Sequence, residues 1–316
     1  VALILFPLVS VPKAKDTFSA NISGASTEEA EIYETPEKTN AENVKVLATG
    51  SCQVTELSLR EYLIASVAAE IGASAEAEAI KAQAIACHTL LLYKRTHKDA
   101  SLGEADISDT SHKILTTAEQ QEKWGENYQA YREKTEKCVE EIENKILCFN
   151  GEPIMATFFA ISNGKTENAE NVWSKALPYL VSVDSPDDKL APDYSSVVSV
   201  SAEEFKKALS EKGVTPGEKK EKWIGDAVLN STGTVKTITI CGKEFSGTEV
   251  RSIFSLKSAT FSVKYEDNNF VFTVSGYGHG VGMSQYGANE MAKKGNTYDE
   301  ILAHYYKNAV ISTLSQ

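Results

Sequence analysis

From Ser58 to Tyr93 (SLREYLIASVAAEIGASAEAEAIKAQAIACHTLLLY) apolar residues recur at helical spacing, which predicts two helices joined by a short turn. Ser58 and Glu61 have capping-box spacing, and Gly72 is a natural stop. Leu59, Leu63 and Val67 form the apolar stripe, and Glu70 is its next member. A glutamate on a buried stripe is costly as an anion, and the negative end of the helix dipole adds to that cost. Both effects raise its pKa, as a general acid near neutral pH requires. The pattern alone leaves a second reading open, a last-turn glutamate pointing into solvent. The second helix is predicted from near Ser74, with Ala77, Ile80, Ala84, Cys87 and Leu91 as its buried stripe. Cys87 then reads as a core thiol. Adjacent helical positions point about 100° apart, so Cys87 and His88 cannot pair as nucleophile and base. Lys81 and His88 share a neighbouring face and are expected to line a groove.

Residues 99–125 read as a loop carrying His112, followed by a charged helix over Asn127–Glu143. Asn150-Gly151 between apolar runs predicts a hairpin of Lys145–Phe149 with Ile154–Ala160. The stretch 160–173 is a polar, turn-rich loop suited to binding groups, and 184–194 reads as an exposed crossing. Ser201 and Glu204 cap a helix stopping at Gly213. A strand over Val235–Ile240, a helix over Thr248–Phe254 and a hairpin of Phe261–Tyr265 with Phe270–Val274 follow. In 275–295 a glycine-rich loop presents His279 and leads into a helix from near Ser284 to Gly295. Its spacing matches neither a dinucleotide fingerprint nor a P-loop. Thr297 and Glu300 cap a last helix, and Val310–Ser312 closes as a strand. The expected fold class is α+β: a helical segment bearing Glu70, packed with antiparallel sheets, with a groove between lobes.

The 316 residues have 42% hydrophobic and 24% charged content, ordinary for a globular chain. A net charge of −12 argues against nucleic acid and anionic membrane surfaces as partners. Five cysteines without CxxC spacing indicate neither a zinc ribbon nor a disulfide framework, although Cys138 and Cys148 are close enough for a local bridge. Residues 1–12 (VALILFPLVSVP) are expected to be the stub of a transmembrane or signal-anchor segment, too short to span a bilayer alone. Residues 13–43 read as a flexible acidic stalk, and 44–316 as the folded body, with a possible sub-lobe over about 184–274.

Three segments carry a resemblance. VAAEIGASAEAEAIKAQAIACHT, ISNGKTENAENVW and YGHGVGMSQYGAN, in that order, resemble the hallmark segments of the SpoIID family, stage II sporulation protein D. The likeness covers nearly the whole body. It implies a peptidoglycan lytic transglycosylase acting on denuded glycan strands during engulfment, with Glu70 as catalytic acid. It further implies a single-pass membrane protein with its body between mother cell and forespore, and a SpoIIP-like amidase and a SpoIIM-like membrane protein as partners. One carboxylate suffices for that chemistry, because the C6 hydroxyl of N-acetylmuramic acid is the internal nucleophile. An ordinary glycosidase needs two carboxylates. Lys81, Gln83, Ser162, Asn163, His279, Ser284 and Gln285 fall on the family segments and are expected to bind substrate. Two departures stand inside the first segment: Gly72 where the family usually has proline, and His88-Thr89-Leu90 where it has Arg-Thr-Tyr. Some clostridial relatives hold zinc with two histidines and two cysteines. Here only His112 remains, with Ile107 and Lys113 at neighbouring ligand positions, so neither a metal nor another cofactor is expected.

Overall fold

The structure is a computed structural model that describes residues 43–314. Its fold is mixed α+β, with helices packed among several small sheets. The first sheet has Asn43–Ala48 at its centre, antiparallel to Gln53–Ser58 and parallel to Ile107–Ser108. Helix α1 (Leu59–Glu70) leaves that sheet directly, with the Ser58 hydroxyl accepting the Glu61 N–H at 3.2 Å. The reciprocal half of the expected capping box is missing, because Glu61 is taken by Arg132 at 2.6 Å.

Helix α2 (Ala77–Thr96) is the axis of the molecule, packed against α1 and against later helices at once. It begins three residues after the expected Ser74. Its buried surface extends well beyond a single stripe, from Ala79 through Leu91 apart from Lys81. A helix covered on all sides needs small residues, and its five alanines between Ala77 and Ala86 supply them. His88, expected to line a groove, is buried instead, and burial holds its pKa down to about 4.

The segment expected as a loop over 99–125 contains helix α3 (Thr117–Trp124), opened by a complete Thr116/Glu119 capping box. That signal stood in the sequence. Helix α4 (Tyr128–Glu140) then packs on α1 and α2. The Asn150-Gly151 turn forms with φ of 51° and 79°, joining Lys145–Phe149 to Glu152–Pro153. The second strand spans two residues and lies just before the expected Ile154–Ala160. The chain instead reaches Phe158–Phe159, which pairs in parallel with Met283–Ser284 from far along the sequence. Helix α5 (Ala169–Trp173) follows, and Val310–Thr313 closes the chain against Lys145–Phe149.

A second hydrophobic core lies over residues 202–274. Helix α6 (Ala202–Ser210) and helix α7 (Gly247–Ile253) cover two three-stranded antiparallel sheets there. Phe205 stacks on Phe270 with centroids 3.9 Å apart. Helix α8 (Gln285–Lys293) and helix α9 (Tyr298–Tyr305) return the chain to α2 and the first core. The five cysteines are free thiols, and Cys138 and Cys148, near enough in sequence for a local bridge, do not form one; Cys87 is a core residue as expected.

The expected single-pass anchor requires correction. Among the described residues no helix is long and apolar enough to cross a membrane. The longest, α2, carries Glu78, Lys81, Lys94 and Arg95 and is enclosed by protein. The apolar stretch 1–12 and the acidic stretch to residue 42 lie outside the described residues.

Candidate active site

Glu70 is the last residue of α1, where the helix ends because Gly72 turns back with φ +77° and donates its N–H to the Val67 carbonyl at 3.1 Å. Proline cannot adopt that φ, so the Gly72 departure changes the turn geometry and not its stiffness alone. The Glu70 side chain is half-buried at the inner end of the helix. Burial pushes its pKa above the usual carboxylate range, opposed by a hydrogen bond from Gln285, the Lys113 backbone N–H, and the charges of Lys113 and Lys123. Lys123 reaches from α3 to donate to the Ala68 carbonyl at 2.8 Å, placing positive charge at the helix end that α1 itself leaves without a basic residue.

Of the seven residues expected to bind substrate, two stand with Glu70. The Gln285 side-chain amide donates to Glu70 Oε2 at 3.3 Å and to Gln83 Oε1 at 3.4 Å. Gln83 in turn donates to Cys87 Sγ at 3.3 Å. Gln83 is fully buried on α2, and Gln285 opens α8. The acid is thus held from a helix end more than two hundred residues away.

Ser162 and Ser284 converge on Asp188 instead. The Ser162 N–H donates to Asp188 Oδ2 at 2.9 Å and the Ser284 hydroxyl to Oδ1 at 2.8 Å. Asp188 is 0% exposed, an exception within 184–194, most of which is exposed as expected. It sits in a short turn opened by Pro186. Burial raises its pKa, against the hydrogen bonds of Ser162, Ser284 and Ser185. Ser284 also accepts the Gly287 N–H at 3.2 Å and so caps α8. A side chain at Gly287 would collide with Tyr305, Ser185 and Asp188, so the close approach there requires glycine.

Asn163 and His279 belong to a third place, the seam between the hallmark loops and the second core. Asn163 donates to the Thr232 carbonyl at 2.9 Å and to Thr260 Oγ1 at 3.0 Å. Beside it, Glu167 accepts from the Asn168 N–H and from Asn171, each at 2.8 Å, and from the hydroxyls of Thr232 and Thr234. A small pocket opens here, lined among others by Asn163, Glu167, Thr260 and His279. His279 Nδ1 accepts the Val281 N–H at 3.1 Å, and its ring packs on Trp173 at 5.3 Å between centroids. Burial, reinforced by the Arg251 charge, lowers its pKa to about 3, so it is neutral at physiological pH. Lys81 lies elsewhere: its ion pairs run to Glu78 at 3.0 Å and Glu141 at 2.5 Å.

Sequence reasoning missed Asp188, Glu167, and the Lys113–Lys123 pair. Glu167 stood inside a quoted segment, but nothing local marks which of its polar residues is buried. Among the described residues no group of three or more histidine, cysteine or acidic side chains could hold a metal ion.

Comparison with known proteins locates this architecture. The SpoIID family model, described as "Stage II sporulation protein", matches residues 48–149, the segment containing α1, α2 and Glu70. The stage II sporulation protein D of Bacillus subtilis (strain 168) is 35% identical over 98% of this chain and 90% of its own length. That of Bacillus amyloliquefaciens is 37% identical over 85% of this chain and 78% of its own. The amidase enhancer of Bacillus subtilis (strain 168) is 27% identical over 77% of this chain but only 39% of its own length.

Proposed function

The chain belongs to the stage II sporulation protein D family, and from that premise we propose that it is a peptidoglycan lytic transglycosylase that cleaves the bond between N-acetylmuramic acid and N-acetylglucosamine. The observation that carries this reading is the Glu70 carboxyl: half-buried at a helix end, held by an amide from α8, and raised in pKa by desolvation. A carboxyl whose pKa is raised in this way is better matched to general-acid work than an ordinary one, and once it has given its proton it is the stronger base. Glu70 gives its proton to the glycosidic oxygen as the C1–O bond breaks. The C6 hydroxyl of the same muramic acid then forms a bond to C1 and loses its proton to the Glu70 carboxylate. The product is a 1,6-anhydro sugar, and the enzyme returns to its starting protonation state without a second carboxylate. Gln285 and Gln83 steady the carboxylate through both halves.

The test is mass spectrometry of denuded glycan strands digested by the purified protein. Anhydromuramyl ends that vanish in Glu70→Gln support the reading; reducing ends without anhydro sugars would replace it with simple hydrolysis.

A second reading is favoured by the relative named amidase enhancer: a non-catalytic peptidoglycan-binding scaffold that recruits or activates an amidase. It expects glycan binding with no new products, and stimulation of an amidase that Glu70→Gln leaves intact. Under either reading a SpoIIP-like amidase and a SpoIIM-like membrane protein are the proposed partners, checked by co-purification with the full chain.

A further inference from the structure

We propose that Asp188 is the positioning residue for Glu70: it holds Ser284 at the start of α8 and thereby seats Gln285 against the Glu70 carboxylate. The inference rests on the reading of Glu70 as the reacting group. Asp188 is far from surface chemistry, with 0% exposure, and a carboxylate enclosed that completely is kept only where its acceptors are used. Its two oxygens go to different segments. Oδ2 takes the Ser162 N–H at 2.9 Å, from the polar loop, and Oδ1 takes the Ser284 hydroxyl at 2.8 Å, from the glycine-rich loop.

Ser284 is the junction. Its backbone lies in the short parallel ladder with Phe159, and its hydroxyl caps α8 through the Gly287 N–H. The next residue is Gln285, whose amide spends one N–H on Glu70 and the other on Gln83. At 3.3 and 3.4 Å these bonds sit at the long end of useful geometry, so a small displacement of the start of α8 loses them. Asp188, Ser284 and Gln285 thus form one mechanical line ending on Glu70. Gly287 preserves it, since any side chain there would drive Asp188, Ser185 and Tyr305 apart.

The charges around both ends determine how a test reads. Glu70 faces Lys113 and Lys123, and it acts in turn on Tyr62 and Cys87. Asp188 faces Tyr305, Tyr286 and its neighbour Asp187, with Ser162, Ser185 and Ser284 as hydrogen-bond donors. Gln285 favours the ionised form of Glu70, so releasing it must raise the Glu70 midpoint. Simply deleting a negative charge nearby would lower that midpoint. The two explanations for an effect of Asp188 therefore have opposite signs.

The experiment is a titration of the Glu70 side-chain carboxyl by carbon NMR in the full chain, with the resonance identified by its loss in Glu70→Gln. Asp188→Asn keeps the volume but turns one acceptor into an NH2 group facing a donor. It should raise the Glu70 midpoint by roughly half a unit to one unit, matching Gln285→Ala. The double variant should shift no further, because both act on one line. Ser284→Ala, which leaves Asp188 in place, should reproduce the shift and decides the matter where Asp188→Asn fails to fold. An unmoved midpoint with a lowered melting temperature, a fall in the midpoint, or additive shifts would each overturn the proposal. Because the readout is the proton on Glu70, it separates from the activity: a midpoint that responds in a protein yielding no anhydro sugar leaves the positioning line intact and removes the transglycosylase.

Discussion

Glu167 is buried and Glu70 half-buried, and the molecule holds the two carboxylates in opposite ways. Glu167 is 2% exposed and accepts from a backbone N–H, an asparagine amide and two threonine hydroxyls, donors that come from its own loop and from the strand turn of the second core. Glu70 has one side-chain donor, at 3.3 Å, and the Lys113 N–H. Saturated with donors, a carboxylate becomes a fastener between the segments that supply them. Left short of them where burial disfavours the anion, it holds its proton more tightly than an ordinary carboxylate. The contrast separates a residue that joins two lobes from one available for chemistry.

The largest effect that could break this contrast is catalytic. Glu70→Gln is expected to reduce anhydromuramyl product by about 10²–10⁴-fold while the fold persists, measured by product mass and thermal melting. Next, Glu167→Gln should cost about 2–3 kcal/mol of stability in urea unfolding, because an NH2 group would face two of its four donors. Turnover at the melting-safe temperature should stay within a few-fold of the parent. Loss of turnover with unchanged stability would reverse the two roles.

A smaller effect concerns the cost of holding Glu70 ready. Its folded pKa lies above its unfolded value, so the native state binds the extra proton and stability falls as pH rises through that window. Glu70→Gln removes the cost. The variant should match the parent below about pH 4, near the unfolded carboxylate pKa, and exceed it in stability at neutral pH. A parent more stable than the variant at neutral pH would contradict the raised pKa. Smallest of all, Lys113→Gln should raise the Glu70 midpoint by a few tenths of a unit by deleting one favourable charge at a solvent-exposed position, an effect that shrinks in high salt. Its absence would leave the backbone N–H as the only contribution of that residue.

Local chemistry accounts for much of what the sequence made legible. Thr116/Glu119, Ser201/Glu204, Ser246/Glu249 and Thr297/Glu300 all close as capping boxes. Ser201/Glu204 and Thr297/Glu300 are legible as caps in the sequence, whereas Thr116/Glu119 stands in a stretch whose turn signals read as a loop, and Ser246/Glu249 lies just ahead of the helix expected from Thr248. The positive φ of Asn150 and Gly151 matches the turn read from the residue pair. Helix faces depend on more distant partners. On α2 the stripe gave a two-sided helix, whereas packing by helices from both earlier and later in the chain covered nearly all of it, including His88. Within 184–194, four aspartates suggested solvent; Asp184 and Asp193 are exposed and Asp188 is not. No spacing rule distinguishes them, because the donors that make burial of Asp188 tolerable come from Ser162 and Ser284.

Sequence by itself determined where α1 starts, that Glu70 continues its apolar side, and that two glycine-bearing polar loops follow in a recognisable order, since caps, turns and periodicity depend on residues within a few positions of one another. Tertiary structure decided which polar residues serve Glu70. Gln285 lies 215 positions away, and its amide reaches the carboxylate only because Met283–Ser284 pairs in parallel with Phe158–Phe159 and α8 packs on α2. The same folding drew Ser162 and Ser284 to Asp188, Asn163 and His279 to the seam, and Lys81 to two glutamates. Hydrogen bonds form between atoms about 3 Å apart regardless of chain separation, so the site was settled by packing.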